Sequence, residues 1–161
     1  MTPGGDPVIP DWWTSDEWAT PPEIVAAEVA RGGPFDLDVC ARPETTKAPA
    51  FYTKNDDGLV MPWRGRVWCN PPYSDPGPWV RRAALYTYEQ RHATRLDLLV
   101  RDVVMLLPAS TDTAWFHKWV LPYADLRFLR GRIKFLGPDG KPRGTPKAGS
   151  IMAYYPRRDR P

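Results

Sequence analysis

Four of the eight residues from 71 to 78 are proline (Pro71, Pro72, Pro76 and Pro78), and no other stretch restricts the fold of this chain so sharply. A proline gives up its backbone donor and fixes φ near −65°, so neither a strand nor a helix continues through such a run. Immediately before it, Arg66-Val67-Trp68-Cys69 reads as a short buried strand. After it, Pro78 suits the first turn of a helix expected to reach about Arg95, with Trp79, Val80, Ala83, Ala84 and Tyr86 as its apolar side. The chain is thereby read as strand, rigid turn, helix. Proline is abundant elsewhere too, 20 of 161 residues alongside eight tryptophans, a composition of stiff loops around aromatic pockets.

Other elements follow from periodicity and punctuation. Thr20 is expected to cap a helix, with Pro21 and Pro22 in its first turn, Glu23 completing a Thr-x-x-Glu box and Gly32-Gly33 as its stop. Phe35 to Ala41 alternates as a strand carrying Asp36 and Asp38, and the irregular stretch from Arg42 to Trp63 has strand potential only near Phe51-Tyr52-Thr53. Val103 to Leu107 is a continuous apolar run, as in a strand buried on both faces, and a short helix is expected around Thr113 to Leu121. Antiparallel β is expected over Asp125–Leu129, Arg132–Leu136 and Ser150–Tyr155, with a Gly/Pro/Lys-rich loop from Gly137 to Gly149. Strand and helix alternation followed by a hairpin makes the fold α/β, mainly parallel with an antiparallel edge. Ligands of such sheets lie beyond the carboxyl ends of the strands, which places Asp38, Asn70 and Pro108 around one crevice.

At 42% hydrophobic and 12% aromatic residues the chain has material for one core, and one domain over 1–161 is expected, with 1–15 as a loosely packed N-terminal arm. No apolar run approaches the length of a membrane span, and the start lacks the basic and apolar parts of a secretory signal, so the expected location is the cytoplasm. Two cysteines, Cys40 and Cys69, and two histidines, His92 and His117, make neither a disulfide scaffold nor a zinc site, and no metal is expected. Charge is polarised. Residues 1–30 hold six acids and no Lys or Arg, whereas Arg127 to Pro161 holds ten bases, Arg127, Arg130, Arg132, Lys134, Lys141, Arg143, Lys147, Arg157, Arg158 and Arg160, against two acids. A polyanion, nucleic acid first, is the partner such an end favours; a solvated face is the alternative.

Asn70-Pro71-Pro72-Tyr73, at the exit of a buried strand, carries the chemistry. Its prolines hold the backbone still, so that the Asn70 side-chain oxygen and the Pro71 carbonyl can converge as two acceptors on one amino group while the Tyr73 ring offers a stacking face. The exocyclic amine of a nucleobase fits that cage. Its lone pair is delocalised into the ring; accepting both N–H hydrogens draws the nitrogen toward tetrahedral geometry and frees the pair for attack without a strong base.

From about Trp18 to Tyr155 the chain resembles the compact, phage-type DNA N6-adenine methyltransferases (Dam-like), which use S-adenosylmethionine. The resemblance rests on Trp18-Ala19-Thr20-Pro21, Phe35-Asp36-Leu37-Asp38-Val39-Cys40-Ala41, Asp57-Gly58-Leu59 with Trp63, and Asn70-Pro71-Pro72-Tyr73-Ser74. It continues through Leu107-Pro108-Ala109, Thr111-Asp112-Thr113, Trp115-Phe116-His117 and Gly131-Arg132-Ile133 with Phe135. It implies a Rossmann-like class I methyltransferase sheet and a target adenine held by Asn70 through Tyr73. It also implies a donor site in which Asp38, with Asp36 as the weaker candidate, stands near the amino-acid end, Asp57 meets the adenine amine, and Trp18, Thr20 and Pro21 close over the methionine moiety. One departure stands out: Ala41-Arg42-Pro43-Glu44 occupies the place of the usual glycine-rich loop, and only 32 positions separate Asp38 from Asn70. An abbreviated sheet edge is therefore expected.

The implied reaction flips an adenine out of the duplex, stacks it on Tyr73 and lets its N6 attack the sulfonium methyl in line. Trp79 is expected at the rim of the target pocket, and Arg130, Arg132, Lys134, Lys141, Arg143 and Lys147 are candidate phosphate contacts on double-stranded DNA. No separate target-recognition domain is expected, and the protein acts as a monomer or homodimer. Cys40 and Cys69 read as small core residues, since the proline-preceded nucleophile of cytosine C5 chemistry is missing, and His117 as packing or surface. The function implied is DNA adenine methylation in a bacterial host cytoplasm, serving phage DNA modification against restriction. The rivals are methylation of RNA or protein glutamine on the same fold and a non-catalytic DNA-binding relic.

Overall fold

A computed structural model describes residues 15–89 and 100–156. The N-terminal arm up to residue 14, the expected continuation of the second helix to Arg95 with His92, and the bases Arg157, Arg158 and Arg160 lie outside the described residues. Chain order is a single 3-10 turn (Ser15–Glu17), α1 (Pro22–Gly32), β1 (Leu37–Asp38), β2 (Ala50–Phe51), β3 (Gly65–Cys69), α2 (Gly77–Glu89) and β4 (Val100–Pro108). A π-helical segment (Phe116–Val120), β5 (Asp125–Phe128), β6 (Phe135–Leu136), β7 (Pro142–Gly144) and β8 (Ser150–Pro156) complete it. The main sheet runs β2-β1-β3-β4-β8-β5. β2, β1, β3 and β4 are parallel, and β8 lies antiparallel between β4 and β5. This is the expected α/β sheet, mainly parallel with an antiparallel C-terminal hairpin.

The abbreviation falls at one edge. β1 and β2 are two residues each, and the described chain from Val39 to Arg64 forms turns but no helix, so loop alone joins β1, β2 and β3. Leu37 pairs with Ala50 on one side and Val67 on the other. β4 is the spine: Val103, Met105 and Leu107 pack toward α2, and Val104 and Leu106 toward α1, all fully buried. Alternate residues of β3 and β8 follow suit. Val67, Cys69, Ile151, Ala153 and Tyr155 join Trp79, Val80, Ala83 and Ala84 of α2 on one face. Trp68 and Met152 join Val25 of α1, Phe35, Ile133 and Phe135 on the other. A strand filling both layers reads as an unbroken apolar run because neither face can be polar.

Three expectations are corrected. Thr20 does not cap α1: Pro21 occupies the cap position, no side chain bonds the free amides, and the helix begins at Pro22 with a fixed φ doing the nucleating. Arg132–Leu136 is not a strand of the main sheet; only Phe135–Leu136 is extended, and it pairs with Pro142–Gly144 inside the expected loop as a separate ribbon. Arg127 is no free cation for a polyanion. It forms an ion pair with Glu28, a fully buried carboxylate of α1 that also accepts from the Tyr154 hydroxyl at 3.0 Å. Among the described residues no helix is long and apolar enough to cross a membrane.

Candidate active site

The parallel strands end on one edge of the sheet, and what each exit does next builds the site. Asp38 is the last residue of β1 and nearly fully buried. Its two carboxylate oxygens accept backbone N–H bonds from Cys40 at 3.2 Å and Lys47 at 2.9 Å, so one side chain fixes both ends of the 40–47 loop. Burial, outweighing those bonds, raises the carboxyl pKa to about 6. Asp57 sits in the left-handed region at φ 58° and accepts from the Leu59 amide at 3.0 Å. The turn brings Gly58 against the Val39 carbonyl so closely that a Cβ there would lie 2.0 Å from the oxygen.

At the end of β3 the rigid turn presents Asn70. Its Nδ2 donates to the Trp18 carbonyl at 3.3 Å, and its Oδ1 is buried with no hydrogen-bond partner. A buried carbonyl oxygen left unpaired costs on the order of 1–3 kcal/mol, so the amide is held ready for a donor the chain does not supply. Two clefts meet at Asn70. One, of about 540 Å³, is lined by Trp18, Thr20, Asp38, Lys47, Asp57 and Trp79 among others. The other, of about 430 Å³, is lined by Pro71, Tyr73, Ser110, Phe135 and Lys147, with Asp16, Trp18 and Asn70 shared between the two. The Tyr73 hydroxyl lies 3.1 Å from Ser150 Oγ, and its ring stands edge-on to Phe135 with centroids 5.5 Å apart. Burial holds that phenol well above its ordinary pKa, so it is no proton acceptor in waiting.

The segment before α1 closes this edge. Asp16 accepts from the Ser74 amide at 3.0 Å and from its hydroxyl at 2.5 Å, tying the 3-10 turn to the proline-rich turn. Ala19 and Leu136 exchange backbone bonds at 2.9 and 3.0 Å, and the Trp18 ring lies against Gly144, so the β6–β7 ribbon clamps the same segment. Thr20 is buried and its hydroxyl unpartnered. Three orphaned oxygens, Glu17 Oε2, Thr20 Oγ1 and Asn70 Oδ1, thus belong to residues lining the larger cleft beside the Asp38 carboxylate. That donor and acceptor set suits a ligand carrying amino groups, and the volume lies in the ordinary range for small-molecule sites.

Of the residues singled out from sequence, Trp18, Thr20, Asp38, Asp57 and Asn70 come together in the larger cleft, and Asn70, Pro71 and Tyr73 line the smaller. Pro72 borders the larger, whereas Pro21 borders neither. Asp36 is elsewhere: it accepts from the Arg66 amide at 2.7 Å at the start of β3. Trp79 is buried in the wall of the Asp38 cleft rather than at the rim of the Tyr73 pocket. Arg132 donates to the carbonyls of Pro146 (3.3 Å) and Lys147, and Arg143 pairs with Asp139 at 2.7 Å, while Arg130, Lys134 and Lys141 are exposed. Burial pushes the Cys40 thiol up to about 12 and raises Cys69 as well, which leaves neither as a thiolate. His117 is exposed, its Nε2 2.7 Å from the Thr111 carbonyl. No cluster of His, Cys, Asp and Glu suited to a metal ion occurs among the described residues. Asp16 and Lys47 were not legible from sequence, because only the loop conformation brings them to the clefts.

Sheet order and the Asn-Pro-Pro-Tyr turn between two clefts define the class: an α/β protein whose mainly parallel sheet is abbreviated at one edge and carries its site beyond the strand ends. Residues 12–157 match the family model described as DNA N-6-adenine-methyltransferase (Dam), and the chain belongs to that family. Two relatives bear the same description. One, from Escherichia phage T1, is 37% identical over 103 residues, 63% of this chain and 39% of the relative. The other, from Haemophilus phage HP1 (strain HP1c1), is 36% identical over 124 residues, 75% of this chain and 66% of the relative. The chain thus matches under two thirds of either relative's length.

Proposed function

We propose that the protein transfers a methyl group from S-adenosylmethionine to the N6 amine of an adenine flipped out of double-stranded DNA. The observation that carries this reading is the Asn70 amide, whose donor side is held by the Trp18 carbonyl and whose acceptor side is buried and unpaired where the two clefts meet. Family membership supplies the methyl-transfer class. In this reading Trp18, Thr20, Asp38 and Asp57 hold the donor in the larger cleft, against Trp79. When bound, the donor supplies a methyl group on a positive sulfur.

Asn70 Oδ1 and the Pro71 carbonyl accept the two N–H hydrogens of the target amine and bring its lone pair to bear on the smaller cleft's boundary with the larger. Tyr73 supports the base with its ring, and its hydroxyl, anchored on Ser150, fixes the plane of that ring. No side chain needs to remove a proton before attack, which suits a pocket where the Tyr73 phenol stays protonated. Holding the two reacting atoms about 3–3.5 Å apart in line accounts for much of the acceleration. The exposed bases Arg130, Lys134, Lys141 and Lys147 face the phosphate backbone in this reading, and the site of action is the cytoplasm that contains the DNA.

The test is to incubate the protein with methyl-labelled S-adenosylmethionine and unmethylated duplex DNA, digest to nucleosides and separate them by mass. Labelled N6-methyladenine that disappears with Asn70→Ala is the expected result. Label found only on RNA or on protein glutamine would overturn the DNA reading.

A further inference from the structure

The donor cleft lacks the feature that ordinarily binds an anion in such folds. Glycine-rich loops hold anionic groups with clustered backbone amides at a helix N-terminus. Here the chain leaving β1 reads Val39-Cys40-Ala41-Arg42-Pro43, its proline has no amide hydrogen, and no helix follows before α2. S-adenosylmethionine nevertheless carries a carboxylate, and a cleft that takes it must meet that charge. Three cations line the cleft, Arg42, Lys47 and Lys54. Arg42 is engaged by Glu17 at 2.6 Å, and Lys54 is exposed to water.

Lys47 differs from both. Its backbone amide is fixed by Asp38 at 2.9 Å, so the side chain departs from a pinned point, and it is half-buried. Among the described residues no carboxylate lies within ion-pair distance of its ammonium. Withdrawal from water accordingly lowers the pKa of that ammonium, with Asp38 opposing only in second place. A partly desolvated cation without a partner is costly until an anion joins it. Beside it stands the Asp38 carboxylate, so the cleft offers a positive and a negative group side by side, matched to the two charges of one amino acid.

Resting on the donor reading above, we propose that Lys47 forms the carboxylate subsite of the cleft, taking the place of the absent glycine-rich loop, while Asp38 faces the ammonium of the same ligand. The test compares S-adenosylmethionine with decarboxylated S-adenosylmethionine, which differs by that one group, on the wild type and on Lys47→Met by titration calorimetry. In the wild type the carboxylate should improve binding at least tenfold; in Lys47→Met the two ligands should bind alike, at the wild-type affinity of the decarboxylated form. Lys47→Arg should restore part of the preference. Because the decarboxylated ligand binds without the subsite, its unchanged affinity also certifies a folded variant. A preference that survives in Lys47→Met, or equal weakening of both ligands, overturns the proposal. Failure of the wild type to bind either ligand overturns the donor reading and takes this one with it.

Discussion

Asn70 acts through a single unpaired oxygen, and its value can be separated from that of its neighbours. Removing one preorganised hydrogen-bonding group from a reacting centre costs about 10²–10³ in turnover. Asn70→Ala should therefore lower kcat by about that factor while donor affinity stays within about threefold, measured by steady-state kinetics and calorimetry. Tyr73→Phe, which keeps the ring and loses only the bond to Ser150, should stay within about threefold of wild-type kcat, whereas Tyr73→Ala should not. Asp38 gives a second residue-scale expectation. Its folded pKa, about 6, lies above the ordinary value of 3.8, so its contribution to stability is fully present below about pH 4 and shrinks as pH rises through 6. A shift of about two units corresponds to about 3 kcal/mol. The unfolding free energy of the ligand-free wild type, relative to Asp38→Asn, should fall by about that amount between pH 4 and 7.5, and a pH-independent difference would contradict it. Asp38 stands ahead of Asp36 through the resemblance and not through strand alternation, since residues two apart share a face, whereas the fixed Asn70 was legible in its prolines. The partner that orients Asn70 was not, because it is a backbone carbonyl, and no sequence pattern marks a carbonyl.

Elements were legible where burial is two-sided or punctuation is strong, as in β4 and at the proline-rich entry to α2. They were not where a residue's role depends on a distant partner. Thr20 and Glu23 make a plausible capping box on paper, but Thr20 is committed to the cleft wall and the cap position falls to Pro21. The β6–β7 ribbon was hidden for a related reason: Phe135 and Leu136 are too few to show a period, and their place is set by Trp18 and Ala19 from the other end of the chain. Glu28 looks like a solvent-facing helix residue by composition, yet α1 is fastened to β5 and β8 through its contacts with Arg127 and Tyr154. Stripping a buried carboxylate of its cation costs about 3–5 kcal/mol. Arg127→Met should fall at or below the lower end of that range, because Tyr154 still donates and Arg127 is partly exposed. Urea unfolding monitored by tryptophan fluorescence measures the loss, and a change under 1 kcal/mol would show that α1 is held by apolar packing alone.

Across the whole molecule the sequence announced a basic C-terminal third, and the fold sorts six of its described bases into two groups. Arg127, Arg132 and Arg143 spend their guanidinium groups on Glu28, on the Pro146 and Lys147 carbonyls and on Asp139. Arg130, Lys134 and Lys141 are exposed, and among the described residues none has a carboxylate within ion-pair distance. All three lie on the stretch from the end of β5 through the β6–β7 ribbon, the side on which the Tyr73 pocket opens between Phe135 and Lys147. A duplex delivering a flipped base to that pocket would run past them. Each phosphate neutralised contributes about 0.9 to the slope of log affinity against log salt. Replacing Arg130, Lys134 and Lys141 together by Gln should reduce that slope by about 2 to 3, with donor affinity unchanged. Arg143→Gln should leave the slope nearly as it was, since its charge already meets Asp139. If the two substitutions reduced the slope equally per charge, ion pairing within the ribbon would not decide which bases meet DNA; if neither reduced it, the duplex would lie on another face of the sheet edge.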